Sequence, residues 1–183
     1  EDRELAFELA MRADVLIENF RPGTMARFGL DWETVHAAHP SLVYCSITGF
    51  GSGPGAEMPG YDPLIQALSG MMSITGPPDG EASKVGVALV DVIAGLNAST
   101  GVLAALNERG MTGEGQMVEI NLLSTALAAL ANQSSAFIHT GTSPPRLGNV
   151  HPSIEPFSTF ATATSPIMIC AGDSGVTSNW SKV

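Results

Sequence analysis

The sequence predicts an α/β protein in which helices connect parallel strands. Two short apolar runs, Asp14–Glu18 and Leu42–Ile47, have the length and composition of buried strands, and helical patterns fill the segment between them. Because a strand–helix–helix–strand order requires a crossover connection, we expect the two strands to be parallel. A third strand is predicted over Gln116–Leu122, where residues that face one way alternate with residues that face the other.

Helices are predicted where apolar residues recur at helical spacing or where a capping residue begins a turn. Asp31 can cap a helix that runs through Ala38 and stops before Pro40. Pro22 suits the first turn of a helix over Thr24–Phe28. Further helices are predicted over Glu4–Arg12, Tyr61–Ile74, from Asp91 to near Gly110 and Ser124–Ile138, and a strand pair over Phe157–Cys170.

Composition and charge limit the partners that the chain can take. The 183 residues include 8 basic and 18 acidic side chains, which give a formal net charge of −10, and 44% of them are hydrophobic. This balance describes a globular protein and disfavours nucleic-acid binding, which needs a basic face. No stretch is expected to reach the length of a membrane span, so no membrane partner is predicted. Cys45 and Cys170 lie in apolar runs far apart, which favours buried free thiols and a reducing, cytoplasmic compartment.

One acidic residue lies within the most apolar stretch of the chain. Between Val85 and Leu96 every residue is apolar or glycine except Asp91. A carboxylate in such a run is costly to bury unless something compensates its charge. Asp91 could be the N-cap of the helix that follows, accepting bonds from backbone N–H groups ahead of it. It could instead be a nucleophile or base in a dry pocket, and the residues alone leave both interpretations open.

Other motifs give weaker indications of chemistry. Gly49–Gly55 is a glycine-rich loop after a strand, but it matches neither a Walker A loop nor a dinucleotide fingerprint. It is either a flexible surface loop or a mobile wall of a binding cleft. His36 and His39 are typical of a helix end rather than of a metal site. Arg21 and Arg27 flank a helix start after a strand, which suits either phosphate binding or an ordinary surface.

Several short motifs follow one another in an order that is more specific than any of them alone. They are Ala13–Gly23, Gly29–Leu30, Cys45–Gly51, Gly60–Asp62, Val90–Asp91, Arg109–Gln116 and Arg146–Pro152. Together they resemble the class III CoA-transferase family, the CaiB/BaiF or formyl-CoA transferase-like group. The resemblance implies a partial Rossmann-like large domain over residues 1–139, then a linker and the start of a smaller second domain over residues 140–183. It also implies interlocked homodimers.

The resemblance assigns roles to individual residues. Asp91 matches the family's catalytic aspartate, a nucleophile that attacks an acyl-CoA thioester and carries CoA as an aspartyl thioester before a second acid receives it. The residues that match coenzyme A contacts are Asn19, Phe20, Arg21, Arg27, Met58, Pro59, Gly60 and Tyr61. Acyl-CoA and a carboxylic acid are thus the expected substrates, and the resemblance implies no metal and no permanently bound cofactor.

Tyr61 discriminates between two activities within this family. The racemases carry a histidine at the matching position as one of two bases, and without that imidazole α-proton exchange loses a partner. CoA transfer is therefore favoured over 2-methylacyl-CoA racemisation, and the run from Gly60 to Asp91 is similar to members that use succinyl-CoA. The family is longer at both ends and differs from the tail Ser174–Val183, so we expect the chain to be a fragment. A catalytically incomplete CoA-binding or assembly module is the remaining alternative.

Overall fold

The computed structural model describes residues 2–171 as a parallel three-stranded sheet with helices packed on it, followed by a two-stranded antiparallel sheet. The parallel strands are β1 (Val15–Glu18), β2 (Val43–Thr48) and β3 (Met117–Asn121), in the order β1-β2-β3. Val15 is in register with Val43, and Tyr44 with Met117. The predicted α/β class and the parallel pairing are confirmed.

Most predicted elements are present with small shifts at their ends. The helices are α1 (Asp2–Ala10), α2 (Thr24–Phe28), α3 (Trp32–Ala38), α4 (Asp62–Leu68), α5 (Met71–Ile74), α6 (Leu89–Thr112), α7 (Leu122–Ala129) and α8 (Asn132–Thr140). The second sheet pairs β4 (Phe157–Phe160) with β5 (Ile167–Cys170), as predicted. The Asp31 cap of α3 is confirmed, because its carboxylate accepts the Thr34 N–H at 3.1 Å. The domain boundary after residue 139 stays a prediction, and the tail Ser174–Val183 lies outside the described residues.

Two helices predicted as continuous are each broken. Gly70, with φ 87°, separates α4 from α5 within Tyr61–Ile74. Ala131, with φ 45°, separates α7 from α8 within Ser124–Ile138. A positive φ is uncommon for a residue other than glycine, so composition gives little warning of the second break. Both predictions were wrong because the apolar spacing resumes after each break.

The core lies between β2 and the helices that cover the sheet. Val43 and Cys45 of β2 are fully buried. The cluster that joins α4, α5, α6 and α7 contains Ile65, Met71, Val90, Ala94, Leu122 and Ala126. Both thiols are free, but only Cys45 is buried; Cys170 is exposed because its strand has β4 as its single neighbour in the described residues. The core therefore fixes the start of α6 against α4 and α7.

Helix α6 is the longest element described, with 24 residues. Its most apolar window has a mean hydropathy of 1.7, which by length and composition is enough to cross a membrane. The expectation that no stretch is long and apolar enough to span a membrane is therefore wrong for α6. Core helices of soluble proteins meet the same criteria of length and composition. In the structure α6 lies against the sheet, where a Cβ atom added to Gly101 would come within 2.7 Å of the Val118 side chain.

Candidate active site

A cavity of about 510 Å³ opens where the parallel strands end. Segments that follow all three strands contribute to it, together with the first turns of α6. The lining residues are Asn19, Phe20, Arg21, Pro22, Ile47, Thr48, Gly49, Ala56, Met58, Pro59, Gly60, Tyr61, Asp91, Ala94, Gly95 and Leu122. Ligands of open α/β sheets bind outside the carboxyl ends of the strands, so the position is the one expected for a substrate site.

The cavity brings together every predicted site residue except one. Asp91 lies in its wall with the loop that begins at Asn19 and the segment Met58–Tyr61. Gly49 of the glycine-rich loop also lines it. Arg27 does not; it is exposed on α2, and its Nη2 atom lies 3.4 Å from Thr24 Oγ1. A contact between Arg27 and the nucleotide part of CoA stays a prediction.

Asp91 is not the N-cap of α6. The helix begins earlier, so that Ala88 holds the cap position and Asp91 has helical backbone in the first turn. The side chain of Ala88 cannot cap, and no side-chain capping bond is made from that position. Among the described residues, no group donates a hydrogen bond to the Asp91 carboxylate. The capping interpretation is therefore wrong, and the carboxylate is free at the wall of the cavity.

The carboxylate that caps α6 belongs to Asp62, at the start of α4. Its Oδ2 atom accepts the N–H of Val90 at 2.7 Å and the N–H of Asp91 at 3.4 Å. Asp62 is 5% exposed. Sequence reasoning quoted Asp62 within the Gly60–Asp62 motif but gave it no role. The available signal was an acidic residue before Pro63, at a helix start next to predicted cavity residues.

Gln66, one turn after Asp62, completes this network. Its Nε2 atom donates to Asp62 Oδ1 at 2.5 Å, and its Oε1 atom accepts the N–H of Val85 at 2.8 Å. Gln66 is fully buried. A buried amide with both ends bonded has one orientation, because Val85 N–H requires an acceptor. Asp62 and Gln66 thus hold the chain from Val85 to Asp91 against α4.

The surroundings of Asp91 make its carboxyl group more basic than usual. Partial burial raises the pKa of Asp91 above its ordinary value of 3.8, and the charge of Asp62 raises that pKa further. A more basic carboxylate is a stronger nucleophile, and perturbed pKa values are frequent at functional sites. Among the described residues that line the cavity, Arg21 is the only basic side chain and Asp91 the only acidic one.

Two backbone segments that line the cavity cross each other closely. A Cβ atom added to Gly49, at the end of β2, would overlap the Cα atom of Gly60. A Cβ atom on Gly60 would likewise overlap Gly49 Cα. The absence of both side chains lets the segment Met58–Tyr61 lie directly against the sheet. The glycine at position 60 therefore sets where Tyr61 and Asp62 lie.

Comparisons with known proteins point to one family. The family model described as CoA-transferase family III matches residues 1–183, which includes the tail that was expected to differ from the family. The chain is 44% identical over 172 residues to the succinate–glutarate CoA-transferase of Agrobacterium fabrum, covering 93% of this chain and 43% of that protein. It is 40% identical over 174 residues to the acetyl-CoA:oxalate CoA-transferase of Acetobacter aceti, covering 94% of this chain and 45% of that protein.

A solved structure has the same fold. The CaiB/BaiF family protein from Brucella suis superposes with a TM-score of 0.86 at 44% identity, covering 93% of this chain and 45% of that protein. The chain thus spans less than half the length of the relatives that it matches. Because the family model matches along the whole sequence and the fold is that of a CaiB/BaiF protein, the chain belongs to CoA-transferase family III.

Proposed function

We propose that the protein transfers CoA from an acyl-CoA to a free carboxylic acid, with Asp91 as the covalent carrier. One observation carries the proposal: the Asp91 carboxylate, to which no described residue donates a hydrogen bond, lies in the wall of the cavity that the predicted CoA-contacting segments form. A carboxylate suits such a carrier because exchanging CoA between two carboxylic acids changes the free energy little. Covalent catalysis then divides one difficult transfer into easier steps.

The proposed steps balance without a redox partner or a net proton. A carboxylate oxygen of Asp91 attacks the thioester carbon of the donor, and the carbon–sulfur bond breaks. CoA thiolate is released, and a mixed anhydride between Asp91 and the donor acid is formed. The thiolate attacks Cγ of Asp91 and expels the donor acid, which takes that aspartate oxygen with it. The acceptor carboxylate attacks Cγ of the aspartyl thioester and releases the thiolate, which then attacks the acceptor carbonyl of the second anhydride. The new acyl-CoA leaves, and Asp91 regains an oxygen from the acceptor acid.

Charges around the cavity support anionic substrates. Arg21 offers a planar guanidinium that suits phosphate or carboxylate groups. The N-terminal end of α6, where Asp91 lies, carries partial positive charge from its aligned peptide dipoles. The Asp62 carboxylate already caps this end, so Arg21 is the positive group that supports anionic substrates among the described lining residues. Tyr61, which is 66% exposed, can offer its hydroxyl group at the cavity rim.

We further propose that the donor is the CoA thioester of a short dicarboxylic acid, such as succinyl-CoA. The names of several relatives support this class, including the succinate–glutarate enzyme above and the succinyl-CoA:glutarate CoA-transferase of Mus musculus, which is 39% identical over 167 residues. Arg21 would then serve the distal carboxylate or a CoA phosphate. A panel of acyl-CoAs and free acids, with products identified by mass, measures the preference.

The decisive experiment follows oxygen atoms in the complete gene product. An acceptor acid with heavy oxygen in its carboxylate should label the Asp91 peptide after turnover, and the label should appear in the donor acid released next. Donor acyl-CoA without an acceptor should leave CoA on the same peptide, and hydroxylamine should convert that thioester to a hydroxamate. Label or adduct on another residue would refute the assignment.

Asp91→Asn is the matched variant for this experiment. Asp62 caps α6, so the amide substitution leaves the helix bonds in place while removing the nucleophile. We expect a folded variant that binds CoA and transfers none. Near-normal transfer by Asp91→Asn would refute the proposal.

We also propose that the complete protein is a homodimer. Helix α6 carries exposed apolar side chains: Val92, Leu96, Leu103 and Met111 are each more than half exposed. Such a patch supports an interface within the assembly. Sedimentation equilibrium should give twice the mass of the chain, and a monomer at micromolar concentration would refute this.

A further inference from the structure

Asp62 and Gln66 take no part in the proposed transfer, but their hydrogen bonds reach the start of α6, where Asp91 lies. Every N–H group in the first turn of α6 already has an acceptor. Leu89 N donates to Val87 O at 2.8 Å, Val90 N and Asp91 N to Asp62 Oδ2 at 2.7 and 3.4 Å, and Val92 N to Ala88 O at 3.1 Å. These four N–H groups, including the one of Asp91 itself, therefore offer the Asp91 carboxylate no free donor.

A carboxylate in the first turn of a helix ordinarily bonds to the free N–H groups there. An acidic residue at the third helical position can turn back to the cap residue, as in a capping box. A carboxylate that accepts such bonds is stabilised as the anion and is a weaker nucleophile. Asp91 occupies that third position, but no described residue donates a hydrogen bond to its carboxylate, and Asp62 Oδ2 holds the N–H groups of Val90 and of Asp91 itself.

We propose that Asp62, held by Gln66, is a positioning residue for CoA transfer: it occupies the N-terminal amides of α6, so that the Asp91 carboxylate remains free to attack the thioester. This inference rests on the proposed function of Asp91. It deepens that function, because it explains why the Asp91 carboxylate can accept no hydrogen bond from the neighbouring amides although it lies at a helix start, where N–H donors usually bond a carboxylate.

Gln66 is required because Asp62 has two oxygen atoms with separate partners. Oδ2 takes the helix amides, and Oδ1 takes the Gln66 Nε2 group. Gln66 cannot turn its amide around, since its Oε1 atom is the acceptor for Val85 N–H. With Asp62→Asn, the new NH₂ group would face the NH₂ group of Gln66, so these two buried donors have no acceptor between them.

The arrangement predicts a specific rescue. In the double variant Asp62→Asn, Gln66→Glu, the introduced amide oxygen accepts the Val90 N–H and the introduced NH₂ group donates to the new carboxylate. The other oxygen of that carboxylate accepts the Val85 N–H. All hydrogen bonds return, and the pair keeps its single negative charge.

The test uses kcat, the Kd for CoA and the single-turnover rate of aspartyl-CoA formation, measured on the complete gene product. We expect Asp62→Asn to lower kcat and the single-turnover rate by about 10–100-fold, since a displacement near 1 Å at a reacting group can have this effect. The Kd for CoA should change by less than about threefold, which is under 1 kcal/mol. The double variant should regain most of the rate, and the exposed control Asp79→Asn should match the unmodified protein.

Each outcome bears on one of the two ideas separately. A folded Asp62→Asn protein with unchanged kcat, when Asp91→Asn is inactive, would overturn the positioning role and leave the proposed function intact. CoA transfer by the Asp91→Asn variant would refute the proposed function, whatever kcat is measured for Asp62→Asn. If Asp62→Asn does not fold, the double variant decides. Recovery of fold and rate supports the inference, and a double variant that stays unfolded or slow overturns it.

Discussion

The substitution Gly49→Ala tests how strongly the cavity depends on the backbone crossing beside it. In the structure a Cβ atom at this position overlaps the Cα atom of Gly60, at a separation that real Cβ atoms essentially never show. Ordinary contact begins at 3.4–4 Å. The nearest atoms all belong to the Gly60 backbone, which cannot turn aside as a flexible side chain could. The two backbone segments therefore have to separate by roughly 1 Å.

This displacement has a predictable magnitude in two measurements. Forcing an extra methyl group into a filled position ordinarily lowers the free energy of unfolding by about 1–3 kcal/mol. For a domain of this size each kcal/mol lowers the Tm by about 2–4 °C. The segment that moves carries Tyr61 and leads into Asp62, so a shift near 1 Å should also lower kcat by up to about 100-fold.

The matched control makes the same chemical change where space is available. Gly110→Ala lies in the last turn of α6, and a Cβ atom there meets nothing within 4 Å. It should raise stability by up to about 1 kcal/mol through helix propensity and leave kcat unchanged. Thermal melts and steady-state kinetics on both variants of the complete gene product measure the difference. If Gly49→Ala melts and turns over like the unmodified protein, the crossing does not position the site.

Three further predictions concern single side chains. Burial, and to a smaller extent the charge of Asp62, raise the pKa of Asp91, so the carboxylate should become protonated and activity should fall at a pH above 3.8. An acid limb of the kcat/KM profile with its midpoint at or below pH 3.8 would contradict this. Arg27→Ala should weaken CoA binding by about 1.5–3 kcal/mol without changing the melt, because Arg27 is exposed and its guanidinium makes one long hydrogen bond, to the neighbouring Thr24 hydroxyl, within the described residues; unchanged affinity in a CoA titration would exclude a contact between Arg27 and CoA. Tyr61→His should not create a racemase, because one added imidazole supplies at most one of two bases; rapid deuterium exchange at the α-carbon of a 2-methylacyl-CoA would show otherwise.

Local patterns in the sequence determined the elements that depend on neighbouring residues. The apolar runs predicted β1 and β2, and the order of helices between them predicted the parallel pairing that the structure confirms. Asp31 was identified as a cap because its partner Thr34 lies three positions away. The family, too, could be identified from sequence, because its motifs are short and keep their order.

Tertiary structure decided what depends on residues far apart along the chain. The identity of the α6 cap could not be predicted, because the acceptor Asp62 lies 28 positions before Val90, and capping rules consider only residues at the helix start. The same rules made Asp91 a plausible cap, although the helix begins before it. The breaks at Gly70 and Ala131 were also hidden, since periodicity does not record a single residue with positive φ.

The candidate site divides in the same way. Sequence motifs named most of its residues, but they could not show that Asp91 and the segment Met58–Tyr61 line one cavity while Arg27 lies outside it. That arrangement depends on the close crossing at Gly49 and on a carboxylate from α4 holding α6, and both are contacts between distant segments. The sequence by itself identified Asp91 as the candidate carrier, because its motif lies within one chain segment; only packing placed that residue in the cavity wall and bonded the amides beside it to Asp62, because these contacts join distant segments.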